Sequence, residues 1–256
     1  MVAAKKPGTS IVSFEDRMAK YAKQTVETEK PSASAFVSVR AGQLQYGGQP
    51  VAGNKLDVVI AGFGFENAYY VDDFDSDNPK SPVCFSFASE DEGEDDMVPH
   101  PDSMEPQSDA CKGCQWNEFG SAEKGKGKAC KNIRRLALLS AKPLTDESML
   151  KGEMAVLKTP VTSVKGWKQY ANTIATVHGR PPFAVVTQLG CVPDPKSQFK
   201  LTFEHMLNIA DEEVVNAIEK RRESMDCLHI PYQPNEEKPA KPARGKPAAK
   251  GKASKY

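Results

Sequence analysis

Residues 82–132 read PVCFSFASEDEGEDDMVPHPDSMEPQSDACKGCQWNEFGSAEKGKGKACKN, and this stretch decides how the chain can fold. It holds four of the six cysteines, at Cys84, Cys111, Cys114 and Cys130. The residues between these cysteines are mostly polar and rich in Gly and Pro, so they offer too little apolar surface to form a core. We therefore expect something other than hydrophobic burial to hold this stretch in shape.

The spacing of the four cysteines predicts a structural zinc site. The Cys-Lys-Gly-Cys motif at 111–114 has the two-residue gap that lets both thiolates of a tight turn point at one metal, and Gly113 lets the backbone curl around it. Cys84 and Cys130 are far apart in sequence, so the fold must bring them to the same point. A tetrahedral Zn²⁺ bound by four cysteines has no open coordination position, which predicts a structural rather than a catalytic metal.

Other uses of the same cysteines stay open at this level. The four could bind an iron–sulfur cluster, Cys111 and Cys114 could form a redox pair, or all four could be unliganded thiols. His100, in a Pro-flanked loop, could replace one cysteine as a zinc ligand. The remaining two cysteines, Cys191 and Cys227, lie in apolar surroundings and are predicted to be buried thiols.

The charge changes sign along this stretch. Residues 81–110 contain nine acids and no Lys or Arg, whereas residues 112–135 contain seven bases and only two acids, Glu118 and Glu123. Two interpretations of the acidic run stay open. It is either a solvated loop or a cover over the basic stretch that an anionic ligand displaces.

The 256 residues suit one folded region with polar additions, or two small domains. We predict an N-terminal arm and helix over 1–34, a folded core over 35–230 with a zinc-binding insertion at about 84–132, and a disordered Lys/Pro/Ala tail over 231–256. Seven of the 34 Lys and Arg lie in residues 238–256, which contain no Asp or Glu, and we call this segment the basic tail. The rest of the chain then has 27 bases against 34 acids, so its net charge is negative whereas that of the basic tail is positive.

No apolar run approaches the ~20 residues of a membrane span, and the N-terminus lacks the order of a signal peptide. We therefore expect a cytoplasmic protein without membrane contact. In a reducing compartment, metal binding is a better use for the motif at 111–114 than a disulfide.

The pattern of apolar residues predicts an α+β fold. Short runs rich in Val, Phe and Tyr at 36–39, 54–60, 63–71 and 83–87 are typical of a small antiparallel sheet or barrel, and Gly62 and Gly64 indicate a bulge. Residues 133–140 predict a strand or a helical turn, residues 162–178 and 211–222 predict helices, and 183–189 with 199–203 predict a hairpin. This order fits an OB-fold-like β-barrel with the zinc loop inserted; a sheet with helices on one side is the alternative.

Four aromatics fall within eight residues, at Phe63, Phe65, Tyr69 and Tyr70. Aromatic residues on strands usually face a core. However, alternation along a strand predicts that some of these rings lie on the outer face, where exposed aromatics can stack on unpaired bases.

Several motifs carry a resemblance: CFSF (84–87), HPDS (100–103), CKGC (111–114), NEFGS (117–121), GKGKACKN (125–132) and RLAL (135–138). Together they resemble a group of largely uncharacterised phage-encoded proteins. In layout the chain is similar to the zinc-containing single-stranded DNA-binding proteins of tailed phages, which implies a β-barrel with a zinc loop, a role in phage replication or recombination, and location in the host cytoplasm. Those proteins resemble each other in an acidic tail that recruits partners. The basic tail departs from this pattern and suggests direct contact with DNA.

The leading hypothesis is a non-catalytic single-stranded DNA-binding protein with structural Zn²⁺, for which other replication proteins and a second copy of the chain are further candidate partners. Its predicted nucleic-acid contacts are basic side chains for phosphates and aromatic rings for bases: Lys124, Lys126, Lys128, Lys131, Arg134 and Arg135, with Phe65, Tyr69, Tyr70 and Trp116. The alternative is a zinc-stabilised protein-interaction or virion-associated module. A metal-dependent nuclease is third, because no catalytic motif is visible among the acids or histidines.

Overall fold

The structure is a computed structural model that describes residues 13, 14, 17, 18, 20, 21, 36–72, 80–195 and 197–233. Phe14, Arg17, Met18, Lys20 and Tyr21 are helical, in agreement with the predicted N-terminal helix, whose remaining residues lie outside the described set. The basic tail lies outside it as well.

Within the part of the chain that the structure describes, nine strands form one mixed sheet. Eight of them follow the order β3-β2-β1-β7-β6-β4-β8-β9, and β5 pairs with β4 off this path. Their bounds are β1 Phe36–Arg40, β2 Gln43–Tyr46, β3 Gln49–Pro50, β4 Lys55–Tyr69, β5 Cys84–Ser89, β6 Lys131–Ser140, β7 Ala155–Thr159, β8 Val185–Asp194 and β9 Gln198–Asn208.

Strand β4 is the centre of the sheet. Along one side it pairs with β6 over nearly its whole length; on the other side its first residues pair with β8 and its last six with β5. The register with β6 shifts between Ile60 and Gly62, which confirms the bulge predicted at this glycine. The two apolar runs predicted at 54–60 and 63–71 are therefore one strand bent at its middle.

Helices cover both faces of the sheet. Helix α2 (Val161–Val177) places Trp167, Tyr170 and Ile174 against one face, with core residues such as Ile60 and Leu136. Helices α1 (Asp146–Lys151) and α3 (Glu212–Arg222) cover the other face. There they pack on the strand residues that alternate with those facing α2. Both faces being buried explains why the central strands are apolar with little alternation.

The curved sheet confirms the predicted α+β class and barrel-like form, as a curled, open half-barrel. A five-stranded OB-fold is not confirmed, since the sheet has nine strands and β1 runs parallel to β7. The alternative with helices on one side is wrong, because helices cover both faces. No described helix is long and apolar enough to cross a membrane.

Candidate functional site

The sheet brings two of the four cysteines together at the end of β4. Cys84 begins β5 and pairs with Tyr69, and Lys131 begins β6 and pairs with Ala68 on the other side of β4. Cys130 therefore comes level with Tyr69. The two cysteines flank this tyrosine with two strand spacings, roughly 9.5 Å, between their backbones.

The other two cysteines lie in a tight turn held above this end of the sheet. The amide of Cys111 donates to the carbonyl of Met97 at 2.8 Å, and its carbonyl accepts from the Asn117 side chain at 2.9 Å. Gly113 has φ of +79°, in the left-handed region that favours glycine. This conformation turns Cys114 back toward Cys111, as the motif predicted.

All four cysteines line one small cavity, and we call them the cysteine cluster. Trp116 and Tyr69 form part of its wall, with their rings stacked at 4.9 Å between centroids. The cavity measures about 20 Å³, room for roughly one water-sized sphere. Burial, and after it the three neighbouring cysteines, raises the pKa of Cys130 to about 12.

The four thiols are of the kind that bind zinc, but they are not as close to one another as the ligands of a zinc ion. Among the residues described, no three Cys, His, Asp or Glu side chains are close enough together to hold a metal ion. All six cysteines are free thiols, and no disulfide competes for the cluster. The zinc site therefore stays a prediction.

His100 is not among the residues that line the cavity. Its ring stacks on Phe85 at 5.0 Å, and its Nδ1 accepts from the amide of Asp102 at 3.1 Å. Cys191 is buried in the core, as predicted, whereas Cys227, also predicted to be buried, is half-buried beside Met154.

Replacing Gly113 with Ala is expected to destabilise the turn that carries Cys111 and Cys114. A residue with a Cβ at this φ costs about 1–2 kcal/mol. Gly127→Ala, outside this turn, is the matched control, because Gly127 has no atom within 4 Å of an added Cβ and no positive φ. Urea unfolding measures both variants; equal free energies of unfolding would contradict the proposed strain at Gly113.

Arg134 and Arg135 do not face solvent, although the sequence predicts phosphate contacts for both. They are only 3% and 2% exposed, because they point to opposite faces of β6 and each face is covered. Arg134 lies over the ring of Phe65 at 4.1 Å and pairs with Glu94 at 2.6 Å. Arg135 forms a buried ion pair with Glu66, which is fully buried. Both arginines are structural in this fold.

The predicted stacking aromatics also have partners within the protein. Phe65 is half-buried beneath Arg134, and Tyr69 and Trp116 stack on each other. The Trp116 indole donates to Gln107 at 2.9 Å. Tyr70 is half-buried, and this burial raises the pKa of its hydroxyl. These rings act as packing residues in this structure.

Phe119 is an exposed ring that the sequence analysis missed. The residue is 82% exposed. The base of its loop is fixed by a hydrogen bond of 2.8 Å from the amide of Cys130 to the carbonyl of Trp116. The ammonium of Lys128 lies 5.2 Å from its centroid and donates to Asn117 at 3.2 Å. An aromatic residue among Gly, Ser and Lys, with no neighbouring apolar positions to make a core, was the available signal.

We call residues 118–131 the lysine loop. Lys124, Lys126 and Lys131 are exposed in it and Lys128 is half-buried. A hydrogen bond of 2.9 Å from the amide of Gly120 to the carbonyl of Gly127 closes the loop. The hydroxyl of Ser121 accepts a second one from the amide of Ala129, also at 2.9 Å. The loop therefore presents Phe119 and its lysines from a folded base.

The acidic run is partly tied to the fold. Glu94 pairs with Arg134 and, at 3.4 Å, with Lys168 of α2. Burial raises the pKa of Glu94, but these two cations outweigh it and lower the pKa overall. Glu90 pairs with Arg222 of α3. These contacts fasten the start of the cysteine-rich stretch to the sheet and helices, whereas Asp95 pairs with Lys112 in the open at 3.7 Å.

Fold and site together define a mixed α+β protein with a curled half-barrel sheet and a loop anchored at four clustered cysteines. Comparison of the chain with protein-family models, with curated proteins and with solved structures finds no match.

Proposed function

We propose that this chain is a non-catalytic protein that binds single-stranded nucleic acid, with single-stranded DNA as the first candidate, through the lysine loop. The observation that carries the proposal is the exposed ring of Phe119 beneath the Lys128 ammonium, in a loop with three further lysines. An aromatic face offers any base a stacking surface, and lysines beside it neutralise the phosphates of the same strand. A duplex hides its base faces, so a single strand is favoured.

One structural Zn²⁺ bound by the cysteine cluster is the second part of the proposal. Zinc–sulfur bonds of about 2.3 Å in a tetrahedron would draw the four sulfurs to about 3.8 Å from one another. The shared cavity supports a single ion, since an iron–sulfur cluster with its inorganic sulfides needs more room than one water-sized sphere. The ion's role is to join the 111–114 turn to the ends of β5 and β6, and so to fix the base of the lysine loop.

The charges of the loop set the expected salt dependence. Each phosphate neutralised on a single strand contributes about −0.7 to the slope of log K against log salt concentration. Four lysines of the loop would therefore give a slope of about −3 for the folded part alone. The net acidity of the rest of the body confines binding to this loop and its surroundings.

Replacing Phe119 with Ala tests the stacking contact directly. Loss of one stacked base costs about 1–3 kcal/mol, so affinity for labelled oligo-dT should fall by roughly 5- to 150-fold, with little change in salt slope. The chain is expected to keep its stability, since the ring is mostly exposed.

Two matched variants separate stacking from apolar contact at this position. Phe119→Trp should retain binding, and Phe119→Leu should lose nearly as much as Phe119→Ala. Fluorescence anisotropy measures all three. Wild-type affinity in Phe119→Ala would contradict the proposal and would favour the protein-interaction module instead, with Phe119 as an anchor for a protein partner.

A further inference from the structure

Strand β4 has a stretch with no strand beside it on one edge. On that edge its residues 55–58 pair with β8 and its residues 64–69 pair with β5. Among the strands that the structure describes, none pairs with residues 59–63 there, so β5 and β8 leave a gap about 16 Å long. The bulge between Ile60 and Gly62 lies in this gap. A bent backbone at a split in the sheet lets a ligand approach closely.

A cavity of about 100 Å³ opens at this gap, and we call it the β4 cavity. Its lining is mostly apolar, with Ile60 and Phe63 from β4 and with Pro181, Pro182 and Phe183 from the turn that leads into β8. Pro181 is exposed, so the cavity is reachable from solvent. Liquid water takes about 30 Å³ per molecule, and an apolar cavity of about 150 Å³ holds benzene. The β4 cavity therefore suits one small ring that partly protrudes.

Two opposite charges, Glu90 and Arg222, meet in the wall of this cavity. Their side chains are only 16% and 24% exposed, and they form an ion pair. The Arg222 guanidinium also donates to the carbonyl of Ala61 in the gap and lies over the ring of Phe183 at 4.4 Å. These two bonds use two of the five N–H donors of a guanidinium and one oxygen of the Glu90 carboxylate. Within the described part of the chain, this leaves donors and an acceptor side by side for a ligand.

We propose that the β4 cavity binds a single six-membered heteroaromatic ring whose edge carries an N–H donor next to an acceptor, as in a pyrimidine base such as cytosine. The faces of the ring pack on Phe63 and Phe183, its donor faces Glu90 and its acceptor faces Arg222. Both aromatic walls are already held in place, because Phe63 packs edge-on against Trp167 at 5.7 Å and Phe183 lies beneath Arg222. A purine, with two fused rings, is too large for this volume.

An NMR titration of the full chain with free cytosine tests this site. A ligand of about eight non-hydrogen atoms in a small pocket is expected to have a dissociation constant of about 0.1–1 mM. Unsubstituted pyrimidine has the ring but no N–H donor, and it should bind at least about tenfold more weakly because it cannot donate to the Glu90 carboxylate. Adenine should also bind at least about tenfold more weakly, because its second ring does not fit. This ligand series needs no variant to fold.

Replacing Glu90 with Gln tests the polar edge. Cytosine should bind at least about fivefold more weakly to Glu90→Gln, because its hydrogen bond to a charged acceptor is lost. Asp91→Asn is the matched control, since it makes the same change of charge at the next residue, which is exposed. The control should bind cytosine as the unchanged chain does. Equal losses in the two variants would contradict a specific contact with Glu90.

A free base and a base within a single strand present the same ring, and labelled oligo-dC separates these two sources. Weaker binding of oligo-dC by Glu90→Gln than by the unchanged chain would mean that the cavity takes a base of a strand; equal or absent binding would mean that it takes a free ligand.

Two results would overturn the proposal: no shift of the resonances of the cavity residues at roughly 10 mM cytosine, or equal affinities for cytosine and pyrimidine. Neither result bears on the lysine loop. Phe63 is six residues from Tyr69 at the cysteine cluster, about 20 Å along β4, and the test of the loop is Phe119→Ala on oligo-dT.

Discussion

The Cys114→Ser chain is expected to bind no zinc, the metal proposed for the cysteine cluster, and to bind single-stranded oligo-dT at least about tenfold more weakly. Structural zinc contributes on the order of 10 kcal/mol or more to the folding of small zinc domains, and a missing thiolate removes much of it. Here the polar stretch between β5 and β6 has little apolar surface of its own, since its Met97 and Cys111 form a small core with Ala88 of β5 and Phe65 of β4. The lysine loop should then lose its fixed base.

Zinc content per chain, measured by mass spectrometry of the metal, checks the first half of this prediction. Cys227→Ser is the matched control, since Cys227 is also half-buried but lies beside Met154, away from the cluster. The control should retain one zinc per chain. Equal zinc content in the two variants would contradict the zinc site. A visible absorption band together with bound iron would show that the cysteines bind an iron–sulfur cluster rather than zinc.

The Arg135→Leu chain is expected to be destabilised by about 3–5 kcal/mol. Removal of one partner of a buried ion pair exposes the other charge to the full cost of burial. Here that charge is Glu66, which has no exposed surface and would keep only the more distant ammonium of Lys158, at 3.8 Å. The same change removes the two hydrogen bonds that Arg135 donates to the carbonyls of Leu228 and Ile230. Urea unfolding should show the loss as a lower midpoint.

Two further variants test this explanation of the loss. Replacing both Glu66 and Arg135 by Leu should recover part of the stability, because no buried charge is then left alone. Lys151→Ala, which removes an exposed pair with Glu147, should change the free energy of unfolding by less than about 0.5 kcal/mol. A loss below about 1 kcal/mol in Arg135→Leu would contradict the buried pair.

The sequence predicts most secondary structure because periodicity and capping residues determine it locally. Helix α3 begins after Asp211, whose side chain accepts from the amide of Glu213 at 2.9 Å, and the predicted range begins at this cap. Residues 133–140 allowed a strand or a helix. Pairing with β4 and β7 decided for the strand, and such pairing depends on residues far away in sequence.

The same nonlocal pairing explains the error at Arg134 and Arg135. These residues follow the lysines in sequence and look like the end of a basic loop. However, the apolar residues on either side of them place both in a strand that is covered on both faces. A base in such a strand needs an acid, and the partners, Glu94 and Glu66, come from distant positions.

The convergence of the cysteines was predicted in part. The two-residue spacing of Cys111 and Cys114 is local, whereas Cys84 and Cys130 meet them only because β5 and β6 flank the end of β4. Tyr232 shows the opposite case. The sequence analysis places it in the disordered tail, and its place in the fold depends on residues far away in sequence, among them the buried Glu66 and the ring of Phe85.

The measurement that tests the central claim most directly is anisotropy of the full-length chain with the seven tail bases replaced by Gln, on labelled oligo-dT and on a duplex of equal length. This variant leaves the folded core as the source of any selectivity. The account predicts that it binds the single strand more tightly, with a salt slope of about −3. Equal or absent binding to both ligands would contradict it.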